Sequence, residues 1–153
     1  MKTRKAMFET NSSSCHTCVI DDSAEIYDTL HVTDDGAVYI QFGEYGWEPH
    51  NYSSVQDRAS YALTLACTAD SQENLDMFNE VVLYHTGADH IVYVSSNGMS
   101  NEKDPLVLIE SDNNGYVDGQ SVHDMSRKIF ADKITLKNFI FNPKSSFQTD
   151  NDN

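Results

Sequence analysis

The chain has 153 residues, 39% of them hydrophobic and 10% aromatic, with a formal charge of −14; this is too apolar for a disordered chain and long enough for one domain with an ordinary core. No run of about 18 apolar residues occurs and Met1 to Phe8 holds no apolar segment of signal-peptide length, so neither a membrane span nor export is expected, and the cytoplasm is the expected location. The charge is uneven: residues 21–125 carry 20 Asp or Glu against Arg58 and Lys103, while residues 2–5 and 126–144 are basic, a balance that excludes direct nucleic-acid binding by the middle of the chain.

In chain order, Lys2 to Glu9 reads as a strand with Ala6 and Phe8 on one face. Thr10-Asn11-Ser12-Ser13-Ser14 follows, a run of hydroxyls and an amide that ends in Cys15 and His16. It has no hydrophobic period, so it must turn, cap or bind. His16 to Ile20 is a second short strand. Glu25 to Val32 and Ala37 to Phe42 read as a hairpin around Asp34-Asp35-Gly36, a three-residue loop closed by a left-handed glycine. Val32 would pair with Val38 and Leu30 with Ile40, leaving Thr33, Tyr39 and Gln41 to face elsewhere.

Glu44 to Tyr52 is an aromatic loop broken by Gly46 and Pro49, whose rings either cover the end of the core or meet a partner. Ser53 with Gln56 fits a capping box for a helix to about Cys67, with Val55, Ala59, Ala62, Leu63 and Ala66 as its stripe. Asp70 or Ser71 caps a second helix that carries Glu73 in its first turn and Leu75, Phe78, Val81 and Val82 on its buried face. Gly87 ends it.

His90 to Ser95 and Leu106 to Glu110 read as strands, separated by a turn at Asn97-Gly98. Asp112 to Gly115 turns again but lacks the closing Glu of a calcium loop. Ser121 with Asp124 is expected to cap a helix through about Phe130, its stripe being Val122, Met125, Ile129 and Phe130. Ile134 to Phe141 reads as a final strand. Residues 1–144 thus form one α+β domain, a mixed and mostly antiparallel sheet packed on two or three helices, and 145–153 a polar, frayed tail.

Cys15-His16-Thr17-Cys18 is formally a CxxC, yet no second pair follows to complete four ligands. The third cysteine is Cys67, and an odd number makes no disulfide framework. No metal or cofactor is therefore expected.

Three stretches together resemble a known group. Lys5 to His16 reads K-x-x-F-E-T-N-S-S-S-x-H, Tyr116 to Ser121 reads Y-x-D-x-Q-S, and Phe139 to Ser145 reads F-x-F-N-x-x-S, followed by Asp150-Asn151-Asp152. This is similar to a group of small proteins of bacteriophages and prophages, in which Ser or Thr takes the place of Cys15 and His that of Gly119. The resemblance implies a phage-related origin and a host-cell cytoplasm. It supplies no activity.

Two functions of different kind follow. Thr10, Asn11, Ser12, Ser13, Ser14 and His16, with Asp118, Gln120 and Ser121 at a helix start, suit a pocket for a phosphorylated or nucleotide-like small ligand, Asp118 reading a hydroxyl or ring N–H. The alternative for these residues is that they bond one another and tie the two ends of the chain together. A Ser-His-Asp hydrolase drawn from Ser12 to Ser14, His16 and Asp118 lacks a nucleophile elbow and an oxyanion loop, so an enzyme is not the expectation. The other function is an acidic inhibitor that imitates a phosphate backbone and fills the basic surface of a host defence or nucleic-acid-binding protein.

Overall fold

The computed structural model describes residues 5–7, 9–11, 15–98, 101–102, 104–110 and 115–150, with side chains described at 15–98, 104–109 and 115–150. Strands β1 (Lys5–Met7) and β2 (Glu9–Asn11) pair antiparallel, so the expected opening strand is a hairpin. Then come β3 (Thr17–Val19), β4 (Ala37–Gln41), β5 (Glu44–Tyr45) and β6 (His50–Tyr52). Helices α1 (Val55–Thr68) and α2 (Gln72–Thr86) lead to β7 (His90–Val94), β8 (Asn101–Glu102) and α3 (Pro105–Glu110). Strand β9 (Tyr116–Val117), helices α4 (Gly119–Ile129) and α5 (Lys133–Phe141), and strand β10 (Ser146–Thr149) complete a single α+β domain.

The domain is built around α1. Every residue from Arg58 to Cys67 is buried, so this helix is enclosed rather than merely faced by a core, and the five-residue stripe read from its sequence is too narrow. Its small residues Ala59, Ala62 and Ala66 share one face and let neighbours approach closely there, while Tyr61, Leu63, Thr64 and Leu65 fill the rest of the surround. Ser54, one residue later than expected, is its N-cap: its Oγ accepts from the Asp57 amide at 3.1 Å and donates to the Asp57 carboxylate at 2.9 Å. Helix α2 follows its sequence closely, with Ser71 capping, Leu75, Phe78, Val81 and Val82 buried, and Gly87 in the left-handed conformation at φ 76°.

Strand β4 does not fold back on residues 25–32. It pairs in parallel with β7, Val38 opposite Ile91 and Ile40 opposite Tyr93, and β8 adds to β7 antiparallel. The turn at 33–36 forms as its residues dictate, with the Gly36 amide donating to the Thr33 carbonyl at 2.9 Å and Gly36 at φ 84°. Its flank is occupied otherwise: the Asp28 amide donates to the Phe141 carbonyl at 2.7 Å and the Asp28 carboxylate pairs with Arg58. The Gly36 carbonyl instead accepts from the Asp89 and His90 amides, which starts the parallel pairing.

Two expected strands are helices. Pro105 stands at the first position of α3, where its missing N–H costs nothing, and the Asp104 carboxylate accepts from the Leu106 amide. In α5, Asp132 caps by accepting from the Thr135 amide at 2.7 Å, and Leu136, Phe139 and Ile140 recur at helical spacing and are buried. With these the described residues hold five helices, more than the two or three expected. Mostly antiparallel pairing holds, but among the described residues it is spread over four small sheets rather than one.

The segment expected to fray is the centre of a sheet. Strand β10 lies between β3 and β6, antiparallel to both, and Phe147 is 1% exposed. Its ring packs on Tyr61 at 4.3 Å and stacks on Tyr52 at 4.6 Å between centroids. Among the described residues no helix is long and apolar enough to cross a membrane.

Candidate functional site

The residues singled out in the sequence fall into three groups. Thr10 and Asn11 lie in β2, in register with Ala6 and Lys5, while Ser12, Ser13 and Ser14 lie outside the described residues. His16 precedes β3 and is buried. Asp118, Gln120 and Ser121 sit at the start of α4, where Asp118, not Ser121, is the N-cap: its carboxylate accepts from the Gln120 amide at 3.0 Å.

The structure brings the second and third groups together. The His16 amide donates to Ser121 Oγ at 3.2 Å, and the Asp118 amide donates to the Tyr45 carbonyl at 2.9 Å. The His16 ring is held at both nitrogens. Nε2 lies 2.5 Å from the Gly46 carbonyl, which can only accept, so Nε2 carries the proton and Nδ1 accepts from the Tyr61 hydroxyl at 2.8 Å. Burial lowers the His16 pKa below its ordinary value, against the opposing pull of the Gly46 hydrogen bond and the Asp118 charge. A buried neutral imidazole with both nitrogens bonded is a structural strut. It has no free lone pair for a nucleophile or a metal, and the described geometry gives no step to a Ser-His-Asp mechanism.

Next to this strut, the Cys15 amide donates to the Asp150 carbonyl at 2.9 Å and β3 continues along β10. The motif stretches near 15–16, 116–121 and 150 are thus bonded to one another, and Tyr61, which bonds the His16 ring, also lies beside Phe139 with 6.3 Å between ring centroids. Among the described residues no three His, Cys, Asp or Glu side chains converge as metal donors.

A separate concavity was not legible as a site. A cleft of about 450 Å³ opens at the carboxyl ends of β4 and β7, beside the first turns of α1. Its polar lining comprises Tyr39, Gln41, Gln56, Asp57, Ser60 and Ser96. The size suits a small ligand, and the carboxyl edge of parallel strands is where open α/β sheets place ligands. The one sequence signal for it is that Tyr39 and Gln41 alternate out of the core face of β4. His16, Asp118, Gln120 and Ser121, the singled-out residues whose side chains are described, do not line it.

On the neighbouring surface, Glu44 and Glu48 are exposed on either side of Trp47, which is 49% exposed. Burial raises the pKa of Tyr116, and the charges of Glu44, Asp118 and Glu48 raise it further. A second acidic patch, Asp34, Asp35 and Asp89, stands at the opposite end of β4.

No protein-family model, curated protein or solved structure matches the chain.

Proposed function

We propose that the protein works through its acidic surface, as a phage-derived inhibitor that occupies the basic face of a host protein which binds nucleic acid or serves defence. The observation that carries this reading is how few of the described acids sit in an ion pair. Among the described residues four ion pairs form, and they engage only Asp28, Glu80 and Asp124. Asp22, Glu25, Asp34, Asp35, Glu44 and Glu48 stand exposed outside those pairs. Such repulsion opposes compaction, and a basic partner would relieve it. Trp47 and Tyr116, both partly exposed beside Glu44 and Glu48, add the aromatic contact that interfaces favour.

A phosphorylated or nucleotide-like ligand is the weaker reading. His16 and Ser121 are buried in bonds to the framework, and among the described residues the cleft is lined by a carboxylate and by no Lys or Arg. An anion would meet repulsion there.

Displacement tests the inhibitor. Immobilised protein is expected to retain DNA-binding proteins from a bacterial lysate, and duplex DNA to release them. Retention should fall as salt rises, since exposed charges are screened over about 8 Å at physiological ionic strength. Changing Asp34, Asp35, Glu44 and Glu48 together to Lys should abolish it. Retention that survives the fourfold change, or that ignores salt, overturns the proposal.

A further inference from the structure

The cleft beside α1 has a chemical polarity of its own, set by which donors and acceptors are already engaged. Gln41 sits at its wall with its amide nitrogen donating to the Ser95 carbonyl at 3.2 Å and the Ser96 carbonyl at 2.9 Å, which leaves the amide oxygen as the group it can offer. The Gly43 amide donates to Thr64 Oγ1 at 3.1 Å, and the Tyr45 hydroxyl donates to Ser60 Oγ at 3.0 Å. Asp57 supplies a carboxylate. One of its oxygens accepts from Ser54, and the other adds a second acceptor to the lining. At the rim the Ser96 hydroxyl donates to the Glu44 carboxylate at 3.2 Å, bringing a second negative charge to the opening. Among the described residues the lining includes no Lys, Arg or His.

Of the groups left over, the Asp57 carboxylate and the Gln41 amide oxygen can only accept, while the Gln56 amide and the Tyr39 and Ser60 hydroxyls can turn either way. Among the described lining residues the only formal charge is negative. The rest of the wall is apolar or aromatic, with Leu30, Phe42 and the ring of Tyr39, which is 55% exposed. A site of this kind rewards a ligand that is a compact donor of several N–H bonds, carries positive charge and can lie against a ring.

We propose that this cleft binds a small organic cation, an alkylammonium or guanidinium group, between the Asp57 carboxylate, the Gln41 amide oxygen and the Tyr39 ring. The same chemistry belongs to a free amine such as a polyamine and to an Arg or Lys side chain of a protein. This cation site goes beyond the inhibitor reading and stands without it, because Asp34, Asp35, Glu44 and Glu48 are not among the residues that line the cleft, and of these four Glu44 alone is bonded to a lining residue, Ser96.

Backbone amide NMR on the whole protein tests it, with agmatine as the free cation and a short arginine-containing peptide as the side-chain source. Saturable shifts of the amides of residues 39–43, 56–60 and 94–96 are expected with at least one of the two. Agmatine sufficing points to a free amine, and the peptide alone to a docked side chain. Asp57→Asn should weaken binding about tenfold, the loss of one charge-assisted bond. Because Asp57 also belongs to the α1 cap, Gln56→Arg serves as a second variant: it is exposed, leaves the cap intact and places a competing cation at the mouth. Absence of shifts with both probes overturns the proposal. So does unchanged affinity in Gln56→Arg, or adenosine monophosphate shifting the same amides where agmatine does not.

Discussion

His16 Nδ1 accepts a hydrogen bond from the Tyr61 hydroxyl at 2.8 Å, joining the segment that enters β3 to the enclosed centre of α1. The bond requires a neutral ring, and burial keeps it so. The folded protein therefore binds fewer protons at this site than the unfolded chain. Stability is then complete above the ordinary histidine value of 6.5 and declines as pH falls below it toward the lowered folded value. Denaturation midpoints should drop between about pH 7 and pH 5, and His16→Gln should flatten that drop. A wild-type curve level across this range would refute the assignment. The depressed carboxylates Asp21, Asp35, Asp124 and Asp132 act only at lower pH.

Arg58 is fully buried inside α1 and serves three acceptors: the Ile140 carbonyl at 2.9 Å, the Ser53 carbonyl, and the Asp28 carboxylate at 2.8 Å. Arg58→Ala should cost about 3 kcal/mol in urea denaturation, because it strands buried carbonyls as well as the charge pair. Arg58→Lys cannot reproduce the fork and should recover little. Asp28→Asn should cost less, since the Asp28 side chain is 38% exposed and water screens the pair.

Phe147 lies among Tyr45, Tyr52, Tyr61 and Phe139. Phe147→Ala should destabilise by about 3–5 kcal/mol. A chain stopped after Lys144 should show no cooperative thermal transition by circular dichroism. A folded truncated chain would contradict the placement of β10.

The thiols should separate by rate. Cys15 is exposed, Cys18 is half-buried with its pKa raised by burial, and Cys67 is buried with its pKa pushed up to about 12. A disulfide reagent in buffer near neutrality should modify Cys15 first and Cys18 slowly. Cys67 should react only with denaturant present, as peptide mass mapping would read.

What the sequence disclosed depended on how local the determinants were. Helix α2 was legible because cap, stripe and terminal glycine lie within seventeen consecutive residues, Ser71 to Gly87. The turn at 33–36 was legible for the same reason, whereas its hairpin was not, because Arg58 and α5 claim Asp28 from far along the chain. The stretch Ile134 to Phe141 is rich in residues that favour strands, and burial against α1 and α2 overrides that preference. Asp132 and the 136, 139, 140 spacing were the available signal.

The candidate sites divide similarly. His16, Asp118 and Ser121 could be grouped by their chemistry, but only packing shows that Tyr61 and Gly46 hold the ring. The cleft could not be foreseen, because its walls come from β4, β7 and α1, and their meeting depends on a parallel pairing that no adjacent residues encode.

The position of β10 also governs the order of folding. Its neighbours β3 and β6 have no other strand partner among the described residues, and Ser146 follows Tyr52 by 94 positions. Neither can close its ladder until that distant segment arrives, and the aromatic layer over α1 waits with them. Long-range closure of this kind slows the search and makes it concerted. A nascent chain that has produced only β1 to α2 exposes Tyr45, Tyr52 and Tyr61 together, so the early part of synthesis is when this protein is most open to aggregation or to a chaperone.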